Sequence, residues 1–375
     1  MKTEKIGWKE VEFGNSEYFK VKKGESITKD KASEGKIPVI AGGQQPAYYH
    51  NKSNRHGKTI TISGSGAYAG FVNYFTEPIF ASDCSTIQSK KELISTKYAY
   101  LFLKSYQKKI YSLQKGIAQP HVYPKDIIKI KIPIPFSNGT PNLKEQERIV
   151  SILEKAESLK LKGKSIEDLL DEYLNSVFYE KFYNQGYENK TLKQICIKIT
   201  DGTHKTPKYI NKGIPFLRVT DLTNSNDSKK FISLEEHEEL IKRCKPEKMD
   251  ILYSKNGTIG VAKTIDWDYE FSIFVSLCLI KPNSKLILSK FLEFFLNTPF
   301  ALNQAFQHSK KGTIINLHLN EINKMFVPLP PLQLQYRFTK IVEQVEKMKE
   351  NVKKTKQNSE YLFNSLMQKA FRGEL

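Results

Sequence analysis

The sequence predicts an α+β protein in which two β-rich units follow one another, each trailed by a long helix, with the two helices packed together. Three observations carry this prediction. Segments of the first half return in order in the second half, the two long helices keep one apolar seam in the same register, and 375 residues carry a formal charge of +19.

The repeat fixes the architecture. GKIPVIAGG (35–43) resembles KGIPFLRVT (212–220), and ITISGSGAYAGFV (60–72) resembles ILYSKNGTIGVAK (251–263), with Gly70 over Gly260. TKYAYLFLKS (96–105) lies over SKFLEFFLNT (289–298), and QKGI (114–117) answers KKGT (310–313). IKIPIP (130–135) answers MFVPLP (325–330), and QERIVSILEKAESL (146–159) answers QYRFTKIVEQVEKM (335–348) at a shift of 189. Each unit therefore has a mixed, β-rich part, then a Pro-containing linker, then a helix. The expected division is 1–142, helix 143–184, 185–331 and helix 332–375. The first linker is about six residues longer than the second, a departure from perfect two-fold symmetry.

The β-rich parts read as short strands joined by turns. KTITISGSGAYAG (58–70) is a β-branched run entering a turn with Gly64, Gly66 and Gly70. Its spacing is one residue longer than a dinucleotide fingerprint, and FVNYF after it reads as another strand instead of a helix. The glycines thus supply backbone freedom in a strand–turn–strand connection. The longest apolar run, FSIFVSLCLI (271–280), is about half the ~20 residues of a membrane helix and reads as a buried strand.

The helices follow from caps and period. Asn142 stands three residues before Glu145, the capping-box spacing. Ile149, Ile152, Ala156, Leu159, Gly163, Ile166, Leu170, Tyr173 and Val177 then recur every three or four residues. The second copy gives Phe338, Ile341, Val345, Met348, Val352, Thr355, Ser359, Leu362 and Leu366. Such narrow seams suit helix–helix pairing. Gly163, Thr355 and Ser359 mark a place of close backbone approach. At 1.5 Å per residue, about 40 residues span roughly 60 Å, a strut between two heads.

The charge points to a polyanionic partner, nucleic acid before an anionic membrane. Cys84, Cys196, Cys244 and Cys278 stand far apart, with no C-x-x-C pair, which fits a reducing cytosol and gives no zinc-ribbon spacing. The opening MKTEKIGWKEVEF lacks the apolar core of a signal peptide, so a soluble, cytoplasmic chain is expected.

A resemblance now emerges from specific stretches: GKTITISGSGAYAGFVN (57–73), DGTHKTPKYINKGIPFLRVTDL (201–222), PLPPLQLQYRF (328–338) and LMQKAFRGEL (366–375). Together with the duplication, they make the chain similar to the DNA-specificity (S) subunits of type I restriction–modification systems. That resemblance implies two target-recognition domains, each reading one half of a bipartite double-stranded DNA site. It implies an antiparallel coiled coil setting the gap. It also implies two methyltransferase subunits and ATP-dependent restriction subunits as partners, with methyl donor and ATP bound by those partners and no cofactor here.

Catalytic signatures were sought in the residues themselves. Asn297-Thr298-Pro299-Phe300 approaches the N-P-P-F/Y of amino-methyltransferases, but Thr298 replaces a proline, no methyl-donor loop accompanies it, and it reads better as a turn between helices. No phosphate-loop motif is present. His50 and His56 in HNKSNRH lack further ligands at metal spacing and read as a solvent-facing basic loop. Spacing alone does not exclude paired carboxylates with a lysine, yet no stretch invites them. The expected chain is non-catalytic; a self-contained methyltransferase or nuclease, or a coiled-coil scaffold with incidental charge, are the alternatives.

Basic, amide and aromatic side chains interleaved in loops suit groove readout with phosphate contacts. In the first unit these are Gln44, Gln45, Tyr48, Tyr49, Arg55 and Lys58, with Ser63, Ser65 and Tyr68 around the glycine turn. In the second they are His204, Lys205, Thr206 and Lys208, then Arg218, Thr220, Asp221, Lys255 and Asn256. Any single position suits a solvated polar loop equally well; the two regions as wholes are expected to face DNA. Because the units differ most in these stretches, two different half-sites are expected.

Overall fold

The computed structural model describes residues 6–116, 118–183, 185–224, 230–308 and 316–375, so Ile117 and the KKGT stretch lie outside the described residues. Two compact units result. One takes residues up to Ser165 together with Val352–Leu375, and the other is Ile166–Asn351.

The first unit begins with β1 (Gly7–Glu12), β2 (Phe19–Lys23), β3 (Ile37–Ile40) and β4 (Tyr48–His50). It continues through β5 (Thr59–Ser63), β6 (Val72–Phe75), β7 (Phe80–Ala81) and β8 (Cys84–Ser89). Helices α1 (Thr96–Ser105), α2 (Gln107–Tyr111) and α3 (Pro124–Ile127) follow, then β9 (Lys131–Ser137), β10 (Thr140–Pro141) and the long α4 (Leu143–Phe182). The second unit has β11 (Asn189–Thr191), α5 (Leu192–Ile195), β12 (Cys196–Asp201), β13 (Ile214–Leu217), α6 (Val219–Asn224), β14 (Phe231–Ile232) and α7 (Leu234–Ile241). Then come β15 (Ile251–Ser254), β16 (Ala262–Thr264), β17 (Ser272–Ile273) and β18 (Leu277–Pro282). Helices α8 (Ser289–Leu296), α9 (Pro299–His308) and α10 (Leu319–Lys324), strand β19 (Phe326–Pro328) and α11 (Leu332–Ala370) complete it.

The repeat is a repeat of topology. The four-stranded sheet β2-β8-β5-β6 has its counterpart in β12-β18-β15-β16. The smaller sheet β4-β3-β7 corresponds to β14-β13-β17, and in both the central strand pairs parallel with the third. β1 pairs with β9 as β11 pairs with β19. The apolar run 271–280 is not one strand: it divides into β17 and β18, joined by a turn in which Leu277 N donates to Phe274 O at 2.9 Å. The longer first linker is accounted for by β10, which turns back on β9 through Asn138 and Gly139 at positive φ.

Each unit's core contains parts of both long helices. In the first, Ile149, Leu153 and Ala156 of α4 share a core with Phe363, Met367 and Ala370 of α11. Phe371 packs its ring 5.3 Å from that of Tyr98 and 5.2 Å from that of Phe102. In the second, Leu174, Phe178 and Phe182 of α4 meet Phe338, Val342 and Val345 of α11. Phe178 centres an aromatic cluster, 5.8 Å from Phe291, 5.4 Å from Phe294 and 5.5 Å from Phe338.

The pairing is antiparallel within each unit. In the first, Arg148 near the start of α4 reaches the backbone oxygen of Leu375, while Gly163, further along, lies against Lys356. A β-carbon at Gly163 would sit 3.4 Å from that of Lys356, the expected close approach. In the second, Asp171 pairs with Lys349 and Phe182 with Phe338. The seam differs from the sequence reading in detail. Leu153, Leu174, Val342, Phe363 and Met367 are buried, whereas the predicted Leu159, Ile166, Tyr173, Met348 and Leu362 are exposed. The buried face has turned because α4 and α11 pack on the heads as well as on each other.

The start of α4 is capped by Asn142, whose Oδ1 accepts from Glu145 N at 3.0 Å. The reciprocal half of a capping box is missing: Asn142 N donates to Pro135 O, and the Glu145 carboxylate is bound by Arg148. One turn in, Gln146 is fully buried. Its Oε1 accepts from Ser95 N at 3.0 Å and its Nε2 donates to Leu93 O at 3.1 Å, tying α4 to the segment before α1. Gln335 does the same for α11, accepting from Leu288 N at 2.9 Å and donating to Leu286 O at 3.0 Å and Pro330 O at 2.8 Å.

Replacing either glutamine by leucine keeps the bulk and strands a buried N–H and a C=O. With about 1–3 kcal/mol for each unsatisfied group, Gln146→Leu and Gln335→Leu are each expected to destabilise their unit by about 2 kcal/mol or more. Urea denaturation, with amide exchange read at Ser95 and Leu288, measures this. The exposed neighbour substitution Glu147→Ala is expected to stay within about 0.5 kcal/mol of the parent.

Candidate nucleic-acid interface

Both units carry one device at the end of a strand pair, β5 with β6 and β15 with β16. In the first, Ser63 N donates to Phe71 O at 3.0 Å and Gly70 N to Ser63 O at 2.7 Å, closing β5 onto β6. In the second, Ser254 N donates to Val261 O at 2.9 Å and Gly260 N to Ser254 O at 3.0 Å, closing β15 onto β16. Gly70 and Gly260 both have φ of +89°. A β-carbon would lie 3.1 Å from Ile110 Cγ2 at the first and 2.4 Å from Leu302 Cδ1 at the second. These positions need glycine for conformation and for space. The turn then docks on the segment after the helices: Val122 N donates to Gly64 O and Leu317 N to Lys255 O, at 3.0 and 2.9 Å. Gly64, Ser65 and His121 thus stand where Lys255, Asn256 and Asn316 stand in the other unit.

Around the first turn, the segment 42–44 is stitched down. The Ser63 hydroxyl donates to Gly43 O at 3.4 Å, Asn73 Nδ2 donates to Gln44 O at 3.1 Å, and the Ser65 hydroxyl donates to the Asp83 carboxylate. A β-carbon on Gly42 would lie 2.3 Å from Ser65 O, so this corner is closely packed. The structure brings Gln44, Ser63 and Ser65 together. Gln44, Gln45, Tyr49, Lys58 and Tyr68 present exposed side chains, with Ser65 partly exposed.

Three expected readers in the first unit are committed to the fold. Arg55 is 7% exposed, and its guanidinium donates to Thr86 Oγ1 at 2.9 Å, Asn54 O at 2.8 Å and Lys23 O at 2.8 Å. It fastens a loop and does not face guanine. The Tyr48 hydroxyl donates to Ile27 O at 2.5 Å, and Ser63 is buried. His50, expected on a solvent-facing loop, is also buried, its Nδ1 3.1 Å from Ser33 N.

The second unit gathers charge on Asp201. His204 Nε2 and Lys255 Nζ lie 3.2 and 3.4 Å from its Oδ2, and Arg243 donates to its Oδ1 and, at 2.9 Å, to its carbonyl. Asp201 and Lys255 are both buried. Lys255 is therefore a partner of Asp201 within the fold and does not reach out as a free cation. Asp221 is likewise buried, holding Arg218 N at 2.8 Å and Arg218 Nε at 3.3 Å at the start of α6. Lys205, Thr206, Lys208 and Thr220 remain exposed, with His204 at the rim of the cluster. The Oδ1 atoms of Asn256 and Asn316, one on each side of the bridge beside Lys255, are buried without a partner, two acceptors ready for a donor. Arg243 was missed by the sequence reading; the basic run KRCK (242–245) was its only signal.

The catalytic lures dissolve in the geometry. Asn297 brackets Ala262, accepting from its N and donating to its O at 2.9 Å each, and the Thr298 hydroxyl donates to Phe295 O at 2.7 Å, forming the corner between α8 and α9. Among the described residues no group of three or more His, Cys, Asp or Glu is placed to hold a metal, and no helix is long and apolar enough to cross a membrane.

With this geometry in place, comparison with known proteins is decisive. A family model for the type I restriction modification DNA specificity domain matches twice, at residues 5–170 and 184–360. The chain belongs to that family. It is 31% identical over 172 residues to the type I restriction enzyme EcoBI specificity subunit of Escherichia coli, a match spanning 44% of this chain and 36% of that protein. A Haemophilus influenzae protein named as a type I restriction enzyme specificity subunit is 24% identical over 339 residues, 85% of this chain and 82% of its own length. The fold is shared with the S subunit of the M. genitalium type I restriction-modification system, at 21% identity, 99% and 98% coverage and a TM-score of 0.59. It is shared too with a chain solved in a study of assembly of the type I system, at 17% identity, full coverage of both and a TM-score of 0.65. The chain is thus a specificity subunit serving DNA recognition.

Two measurements check the local reading. Gly70→Ala and Gly260→Ala force a left-handed alanine into occupied space, and each is expected to cost about 2–5 kcal/mol in denaturant titrations, from about 1–2 for the conformation and about 1–3 for overpacking. Gly66→Ala, at φ +84° with open space around it, is expected to lose only the conformational part. Burial raises the thiols of Cys84, to about 12, and Cys244, to about 11, with Cys278 well above its ordinary value. A raised thiol pKa means little thiolate near neutrality. Labelling of these three at pH 8 is expected only after unfolding, read as a reaction that follows the denaturation curve.

Proposed function

We propose that this subunit reads a bipartite, asymmetric double-stranded DNA target, one half through each unit. The carrying observation is one topology bearing two chemistries: Gly64, Ser65 and His121 occupy the places of Lys255, Asn256 and Asn316. Equal frames place the readers alike, and unequal side chains read unequal bases. In this reading 1–142 and 185–331 are target-recognition segments, and the helices 143–184 and 332–375 are the ruler that sets the gap. Supporting the ruler is the length of each helix, 40 residues in α4 and 39 in α11, with antiparallel packing in both units.

Methyl transfer and cleavage belong, in this proposal, to partner subunits: two methyltransferase subunits and ATP-dependent restriction subunits, in the cytoplasm. The motifs that hinted at chemistry in this chain are occupied with holding helix corners and loops. Selectivity follows from small increments, since each mismatched base pair costs about 1–3 kcal/mol.

The test is sequencing of modified bases in DNA from cells carrying the full system, then from cells whose subunit carries a copy of the first recognition segment in place of the second. A two-part motif with a fixed gap is expected from the parent, and the replacement is expected to keep one half and convert the other into its inverted repeat. A single uninterrupted motif, or a second half unchanged by the replacement, refutes the proposal.

A further inference from the structure

The first unit holds a cleft that shares only Lys58 with the residues expected to face DNA. It has a volume of about 630 Å³ and opens beside the Lys58 end of β5, the end opposite the glycine turn. Its floor is apolar, from Phe13, Phe19, Val21 and Ile128. Its walls are cationic: Lys20 and Lys22 from β2, Lys58 before β5, and Lys90 and Lys91 after β8, with His56 beside Lys58. No acidic side chain lines it, although Glu17 and Glu92 adjoin lining residues in sequence. Among the described residues none of these five lysines enters an ion pair, whereas Lys97, Lys104 and Lys115 of the same unit each find a carboxylate within 3.2 Å. The hydroxyl of Ser89, also in the lining, is buried from solvent and has no hydrogen-bond partner.

The second unit treats the same places differently. Lys198, in the position of Lys20, donates to Arg243 O at 2.6 Å. Lys281, in the position of Gln88, is held by Asp250 at 2.5 Å and Glu247 at 2.9 Å. There the cations are used within the fold; in the first unit they are left facing one cleft. Like charges gathered without counterions repel, so the arrangement is favourable when an anion with several charges fills it.

We propose that this cleft is a sequence-independent clamp for the sugar–phosphate backbone of duplex DNA, present in the first unit and lacking in the second. It rests on the DNA-reading function proposed above. Lysines are flexible point charges, suited to phosphate oxygens and poor at the fixed two-pronged geometry that identifies a base. Six residue steps separate Lys58 from Gly64, about 20 Å along an extended strand. With one phosphate per ~1.7 Å of duplex axis, DNA read at the turn still offers several phosphates at that distance. The inference adds a division of labour: the first unit supplies a larger share of salt-sensitive affinity, and sequence preference comes from both.

The experiment uses the full chain assembled with its methyltransferase partner, binding target and scrambled duplexes between 50 and 200 mM salt. The variant Lys20→Gln, Lys22→Gln, Lys90→Gln, Lys91→Gln is compared with an equal-charge control, Lys155→Gln, Lys162→Gln, Lys353→Gln, Lys354→Gln. Each lost phosphate contact lowers the salt slope by about 0.9. The cleft variant is expected to lose about 2–4 from the slope and at least tenfold in affinity on both duplexes, with the preferred sequence unchanged. Lys90→Gln with Lys91→Gln alone is expected to show about half the slope change, which keeps the test valid if the quadruple variant folds poorly. An unchanged slope, or an equal drop in the control, overturns the clamp. So does wild-type binding of inorganic phosphate that the variant abolishes while the DNA slope stays put, since the cleft would then serve a free anion. If the parent shows no sequence preference, the recognition reading fails, while the slope comparison still decides the clamp.

Discussion

The fold depends on one buried amide in each unit. Gln146 and Gln335 each stand in the first turns of a long helix and bond both a donor and an acceptor of the segment that enters α1 or α8. A side chain satisfied at both ends inside a core has almost no freedom to slide, because a shift of one residue would strand two backbone groups. The helix direction leaving each β-rich part is therefore set at its base, and everything further along the helix inherits it. A leucine at that point would pack as well and specify less. Apolar contacts tolerate small rotations that a two-ended hydrogen bond does not.

The second constraint is that neither core closes with its own helix alone. Phe363, Met367 and Ala370, near the end of the chain, are part of the first unit's core, and Leu174, Phe178 and Phe182 are part of the second's. Helix pairing and head packing are thus one event. This explains why the seam read from the sequence was right about pairing and off by a position at several points. A strict heptad reading assumes that the only partner is another helix, which calls for a narrow stripe. Where a helix must also cover sheet and short helices, Leu153 and Phe363 turn inward while Ile152 is only partly buried and Leu362 exposed.

The legibility of the site follows the same logic. The duplicated frame, the glycine turn and the long helices were readable because they rest on local backbone requirements and on period. The fate of single polar side chains was not, because it rests on partners far along the chain. Arg55 binds Thr86 and Lys23, His50 meets Ser33, and Lys255 meets Asp201. A basic residue in a polar loop looks the same in sequence whether it faces solvent or a carbonyl 32 residues away. The reverse error is equally instructive. Lys20 and Lys22 lie in FKVKK, a stretch that carries no motif, and only the sheet sets them beside Lys90 and Lys91.

Duplication followed by divergence of the polar groups has a physical consequence for recognition. The backbone geometry at the turn is held by Gly70 and Gly260 at the same φ, so the flanking positions are presented in the same way in both units. Change at 64, 65 and 121, or at 255, 256 and 316, then alters what is presented with little effect on where. The second unit shows how far this goes: a lysine introduced where the first unit has Gly64 is accommodated by Asp201, which itself stands where the first unit has Lys23. Charge was exchanged across one site and a buried pair formed. Removing one partner of such a pair leaves an uncompensated charge and typically costs about 3–5 kcal/mol, so these two positions are expected to change together while the exposed Lys205, Thr206 and Thr220 are under no such constraint.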